Sequence, residues 1–241
     1  MNRIKLLSNN ALKIIACISM VFDHLGYMLF PNAFWMRIVG RLAYPIFAFC
    51  LAEGCFYTRN RLKHLLVIAI LGLAMQVVEY LFTNMTSFSI FIVFTFSIIL
   101  IYIYDYIDSS IKNKNILASL LFILAFVGIT FGLNVFIHYY DYFDDNYGFY
   151  GVMIPVLLYI TKKYLNDKAI CIFVQIAIIA ILTAIRAYCF ELPAILFAYA
   201  TFPLLLMYNG KRGKWNMKYF FYIFYPAQFA VIYLIGLIIG I

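Results

Sequence analysis

An acid and a base stand side by side in an otherwise apolar stretch, Val21-Phe22-Asp23-His24. The stretch spans residues 11–30, and about 20 apolar residues suffice for a helix to cross a bilayer. A charged side chain at such depth costs about 2.5–3.5 kcal/mol on insertion scales, so it is expected to face a protein interior or a wet cavity. Two in succession point to proton chemistry or ion handling within the membrane. A carboxylate near an imidazole orients it and raises its basicity, and a nearby arginine keeps a carboxylate ionised or stabilises an oxyanion. The plainer alternative is a buried polar pair that locks helices together. Neighbours on a helix diverge by about 100°, so Asp23 need not be the partner of His24. Ser19, Asp23 and Tyr27 share one face by their i, i+4 spacing.

These residues must be positioned by membrane helices. The chain is 66% hydrophobic and 12% charged, with a mean hydropathy of +0.96, which excludes a water-soluble globular class. Apolar runs fall at 11–30, 38–58, 64–83, 88–107, 116–137, 148–165, 169–188, 191–208 and 219–240. The seventh and eighth read as a tight hairpin or a partly re-entrant pair. The first is too long for a signal h-region and lacks a small-residue cleavage site before Pro31, so it reads as a retained helix.

Charge supplies an independent check. Basic residues collect at the start and in every second connection: Arg3 and Lys5; Arg59, Arg61 and Lys63; Lys112 and Lys114; Lys162, Lys163 and Lys168; Lys211, Arg212, Lys214 and Lys218. Glu79, Asp141, Asp144, Asp145 and Glu191 fall in or beside the alternate connections. The positive-inside bias puts the N-terminus in the cytoplasm. The expected architecture is all-α: one domain over residues 1–241, a polytopic integral membrane bundle of about nine transmembrane helices in the cell (cytoplasmic) membrane.

The net charge of +8 is spread over these short segments, so its expected role is orientation and contact with anionic lipid; a nucleic-acid partner is not implied. The cysteines, Cys17, Cys50, Cys55, Cys171 and Cys189, lie in or beside apolar runs without metal-ligand spacing and read as small core residues. No metal is expected.

Three arginines break the charge pattern. Arg37 and Arg41 stand just before and just within the second run, and Arg186 near the outer end of the seventh. With Asp23 and His24 they could converge in an outward-facing polar cavity, and an Asp23–Arg41 salt bridge is one arrangement the spacing allows. Glu53 and Glu79 read as structural ion-pair members, Lys13 as a snorkelling interfacial residue, and His64 as solvated or lipid-facing. His138 precedes the acidic loop Tyr139–Tyr147, a solvated face or a receiver of a basic substrate.

The order of several short motifs resembles the TraX family. They are Leu12-Lys13-Ile14-Ile15-Ala16; Val21-Phe22-Asp23-His24; the stretch from Arg37-Ile38-Val39-Gly40-Arg41 through Tyr44-Pro45 to Phe49; Ala52-Glu53-Gly54 with Thr58-Arg59-Asn60-Arg61; Tyr147-Gly148-Phe149-Tyr150-Gly151-Val152; Tyr208-Asn209-Gly210-Lys211-Arg212-Gly213; and Phe221-Tyr222-Ile223-Phe224-Tyr225-Pro226. TraX proteins are associated with N-terminal acetylation of conjugative pilin, and the N-terminal pattern is similar to that of the wider transmembrane acyltransferases. The resemblance implies transfer of an acyl group, acetyl above all, from cytoplasmic acyl-CoA to a hydroxyl or amine of a peptide, glycan or lipid acceptor on the far side, with acyl-CoA as co-substrate and no permanently bound cofactor. It implies His24 as general base or acyl carrier, with Asp23 or Arg41 organising the site. Lys211, Arg212, Lys214 and Asn209, with Arg59 and Arg61, would contact the donor, the Tyr208–Lys214 loop through backbone amides and charge. Arg37, Arg186 and Tyr147 would face the acceptor.

The chain departs from the family pattern at its end, where Tyr-Pro-x-His becomes Tyr225-Pro226-Ala227-Gln228. Glutamine hydrogen-bonds but is no base near neutral pH. Asn146 also stands where an aspartate is expected. Two rivals therefore stay open: a proton-coupled transporter or flippase with Asp23-His24 as relay, and an inactive assembly subunit.

Overall fold

The computed structural model describes residues 6–83, 89–139, 148–189, 193–214 and 217–240. The described residues are almost wholly helical: α1 (Asn9–Met28), α2 (Phe34–Gly40), α3 (Ala43–Tyr57), α4 (Arg61–Thr83), α5 (Ile90–Lys112), α6 (Ile116–Tyr139), α7 (Gly148–Tyr164), α8 (Lys168–Cys189), a 3-10 helix (Pro193–Thr201), α9 (Phe202–Leu206) and α10 (Lys218–Ile239). Seven segments among the described residues are long and apolar enough to cross a membrane, with α2 and α3 together forming one of them. The chain is thus a multi-pass membrane protein. Of the nine apolar runs, α7 has 17 residues and 194–206 is a shorter apolar helix. The seventh run is a full-length helix of 22 residues, whereas its neighbour, the eighth, is short.

Helix starts follow their caps. Asn60 accepts from the Lys63 amide at 2.9 Å, Asn115 from that of Ala118 at 3.1 Å, and Asp167 from those of Ala169 and Ile170 at 2.7 and 2.9 Å. Each satisfies first-turn N–H groups that have no partner inside the helix. The second apolar run is not one continuous helix. Pro45 has no N–H to donate to the Arg41 carbonyl and its ring crowds that group, so the helix breaks at Arg41-Leu42 and restarts at Ala43.

The chain divides into two compact units, Met1–Cys50 with Leu165–Ile241, and Leu51–Tyr164. In the first, the strand-like segment before α1 pairs with the basic loop. Leu7 donates to the Met207 carbonyl at 3.0 Å and accepts from the Asn209 amide at 2.9 Å, while Asn9 and Asn10 donate to the carbonyls of Lys211 and Arg212 at 2.9 and 3.0 Å. Ser8 caps the Ala11 amide at 3.2 Å. Gly213, at φ +107, lies so close that a Cβ would sit 2.9 Å from Ser8 Oγ, and only glycine adopts that backbone freely. The start of α1 and the Lys211–Lys214 cluster therefore share one end. Helix α10 lies beside α1, with Lys13 5.3 Å above the Phe221 ring and His24 further along against Gln228. The two helices run in the same direction, consistent with both being odd-numbered crossings.

In the second unit an ion network gathers three other basic clusters. Asp105 on α5 takes Arg61 at 2.5 Å, Lys163 at 2.7 Å and the Tyr159 hydroxyl at 2.7 Å. Asp108, one turn on, takes Lys163 at 2.7 Å and Lys112 at 2.9 Å. Glu53 pairs with Lys162, whose ammonium also lies 4.8 and 4.3 Å from the Phe56 and Tyr57 ring centres. Glu53 is thus a structural ion-pair member, in keeping with its sequence reading. His64 differs from its solvated reading: Nδ1 is 3.1 Å from the Tyr102 hydroxyl and 4.0 Å from Cys55 Sγ. Cys17, Cys50, Cys55 and Cys171 are buried free thiols and Cys189 is exposed.

Removing one partner of a buried pair strands the other charge, at about 3–5 kcal/mol, whereas an exposed pair is worth about 1 kcal/mol or less. Lys162→Met removes the cation paired with Glu53, whose side chain is 5% exposed, while Lys112 is 67% exposed. In a thermal scan of detergent-solubilised protein, Lys162→Met lowers the midpoint far more than Lys112→Met.

Candidate functional site

The polar face of α1 docks on α2. Ser19 Oγ donates to the Val39 carbonyl, Arg37 Nη1 lies 3.2 Å from Asp23 Oδ1 and 3.4 Å from the Asp23 carbonyl, and the Arg37 guanidinium sits 5.2 Å over the Tyr27 ring. The i, i+4 face read from sequence is thus the face that meets α2. The partner of Asp23 is Arg37 and not Arg41: α2 presents Arg37 to α1, while Arg41 falls in the break beyond it. Helix α2 comes so close that a Cβ on Gly40 would overlap the Asp23 side chain.

His24 points elsewhere, as the helical rotation dictates, and meets α10. Its Nδ1 is 2.6 Å from Gln228 Nε2. Tyr225 and Phe229 place their rings edge-on to the imidazole, at 5.8 and 5.9 Å between centres and 87° and 84° between planes. Residues 225, 228 and 229 share one helix face by i, i+3 and i, i+4 spacing. Pro226 lies between them inside α10 and removes one backbone donor there. The residue that departs from the family pattern is therefore the one that touches His24.

Buried polar side chains normally find partners. Among the described residues, the buried side-chain nitrogen and oxygen atoms without a hydrogen bond are Asp23 Oδ1, Arg41 Nε and Gln228 Oε1. The Asp23–Arg37 contact is close enough for charge pairing but is not aligned as a hydrogen bond, so both statements hold for Oδ1. Two of these residues adjoin His24, Gln228 by contact and Asp23 as its chain neighbour on the other helix face; Arg41 lies in the break that ends α2, next to Gly40, which abuts Asp23.

The other sequence candidates are distributed. Arg186 is buried on α8 in the same unit, at 7% exposure, on the face that carries Gln175 and Thr183. Lys211, Arg212 and Lys214 are exposed on the basic loop. The Asn209 amide donates to Leu7 and the Lys211 amide to the Asn209 side chain at 2.8 Å, so the loop offers an anion mainly its side chains. Arg61 is engaged by Asp105, and Arg59 is exposed. Tyr147 and the acidic residues Asp141, Asp144, Asp145 and Glu191 lie outside the described residues. Gln228 was legible as an anomaly but not as a partner. Asp105 lies within the apolar run 88–107 and Asp108 just past its end, their i, i+3 spacing the one signal of a shared face.

With this geometry in place, comparison with known proteins is informative. The model of the TraX protein family matches residues 8–236, so the chain belongs to the TraX family. It is 26% identical over 243 residues, covering 92% of each chain, to a Dichelobacter nodosus protein described as "Probable fimbrial assembly protein FimC, serogroup H1". It is 27% identical over 167 residues to the uncharacterised protein RP591 of Rickettsia prowazekii (strain Madrid E), covering 68% of this chain and 60% of that one. No solved structure matches it.

Gly40→Ala forces the Asp23 carboxylate away from its position against α2; overpacking of this kind costs about 1–3 kcal/mol. Gly128→Ala is the control, because its Cβ meets nothing within 4 Å. Thermal unfolding in detergent should show a lowered midpoint for Gly40→Ala and none for Gly128→Ala.

Proposed function

We propose that this protein is an acyltransferase of the cell membrane, moving an acyl group, acetyl above all, from cytoplasmic acyl-CoA to a hydroxyl or amine on a peptide, glycan or lipid at the outer side. The observation that carries the reading is the contact of His24, on a membrane helix, with Gln228, whose Oε1 is a buried acceptor without a hydrogen bond, next to the Asp23–Arg37 pair. A purely structural polar pair would have closed its own hydrogen bonds, as the Asp105 network does. Family membership and the assembly role in the name of the Dichelobacter relative are compatible with modification of a secreted protein.

In this reaction His24 Nε2 takes the proton of the acceptor O–H or N–H as that atom attacks the thioester carbonyl. The carbonyl oxygen becomes an oxyanion, for which the Arg41 Nε–H is a free donor. Collapse of the tetrahedral species breaks the C–S bond, and the departing sulfur takes the proton back from His24 as free CoA thiol. Asp23, paired with Arg37, balances the charge that His24 gains during the step. The exposed Lys211, Arg212 and Lys214 lie at the α1 N-terminus. They would hold the CoA phosphates about 22 Å from His24 along the helix, at about 1.5 Å per residue.

The test is release of free CoA from acetyl-CoA by the protein in vesicles, with a peptide amine, an amino sugar and an ethanolamine lipid as acceptors. His24→Ala should lower the rate at least about 100-fold, the lower bound for general-base catalysis; a rate equal to wild type overturns the assignment. The triple change of Lys211, Arg212 and Lys214 to alanine should raise KM for acetyl-CoA and leave kcat unchanged.

A further inference from the structure

The 2.6 Å contact between Gln228 and His24 Nδ1 has a chemical consequence that depends on which end of the carboxamide faces the ring. If the amide nitrogen donates, Nδ1 is an acceptor and the ring proton sits on Nε2, leaving that atom no lone pair with which to take a proton. If the carboxamide is turned end for end, Oε1 accepts from Nδ1–H and the Nε2 lone pair is free. The two ends are nearly alike in shape, and the hydrogen-bond network decides between them. Only the second arrangement serves a base. A protonated imidazole donates from both nitrogens; a carbonyl oxygen accommodates that state, and an NH2 group opposes it.

We infer that Gln228 is a positioning residue that accepts from His24 Nδ1–H and so fixes Nε2 as the atom that takes the proton. Gln228 is 8% exposed and Oε1 has no other partner, so no competing interaction holds the carbonyl. Tyr225 and Phe229, edge-on to the imidazole, restrict its tilt, and the carboxamide in contact with Nδ1 then sets the tautomer. A glutamine thereby supplies the orienting acceptor without adding a second charge beside Asp23 and Arg37. The inference rests on the acyltransferase reading for its meaning but not for its test.

The chain has three histidines, so 15N spectra of histidine-labelled protein in nanodiscs are simple, and the His24 signals are those lost in His24→Gln. In the wild type, Nδ1 should carry the proton and Nε2 should not. Gln228→Leu should give a mixture of tautomers and lower kcat at least tenfold with KM for acetyl-CoA unchanged. Gln228→Glu, whose carboxylate only accepts, should restore both the tautomer and the rate. A wild-type spectrum with the proton on Nε2, or a His24 spectrum unchanged in Gln228→Leu, overturns the inference. A wild-type protein that releases no CoA overturns the acyltransferase reading instead, and the nitrogen spectra still decide the role of Gln228.

Discussion

A carboxylate and an imidazole on consecutive positions of an apolar helix cannot share one partner, because the helix turns them about 100° apart. Each must be relieved from a different side. Asp23 is met by Arg37 on α2 and His24 by Gln228 on α10, so α1 is held between the two. The break at Arg41, enforced by Pro45, ends α2 beside Asp23. The absence of a side chain at Gly40 lets α2 come close enough for the pairing. Much of the first unit follows from this one requirement of desolvation.

The two units treat buried charge differently. Around Asp105, two cations and a tyrosine hydroxyl satisfy a single carboxylate, and Lys162 is enclosed by Glu53 and two aromatic rings. Such a network is closed among its own side chains and ties α4, α5 and α7 together. In the first unit the pairing is less complete, with Asp23, Arg41 and Gln228 each keeping a buried atom without a hydrogen bond. An unpaired buried polar atom costs about 1–3 kcal/mol. Retaining three in the first unit is what the substrate site proposed there would explain.

Much of this was legible in the sequence because bilayer physics is strict. Apolar runs gave the helices, and alternating charge grouped basic clusters that the structure then joins, Arg61 with Lys112 and Lys163 through Asp105 and Asp108. Asp23 and His24 stood out by their depth, and their divergence followed from helix geometry. Pairings over long separations were not legible. Arg37 and Arg41 are equivalent by spacing until a proline decides which of them lies in a helix. Gln228 stands 204 positions from His24, and nothing local announces that contact. Short or irregular elements were also poorly marked: the 3-10 helix is apolar enough to read as a crossing but too short to make one.

The most direct measurement is a structure of the protein in a nanodisc with a non-hydrolysable acetyl-CoA analogue. The account predicts the thioester-equivalent carbonyl within hydrogen-bond reach of Arg41 Nε and next to His24 Nε2, with the phosphates at the Lys211–Lys214 loop. An analogue bound with its acyl end away from His24, and Asp23, Arg41 and Gln228 still without partners, would contradict it.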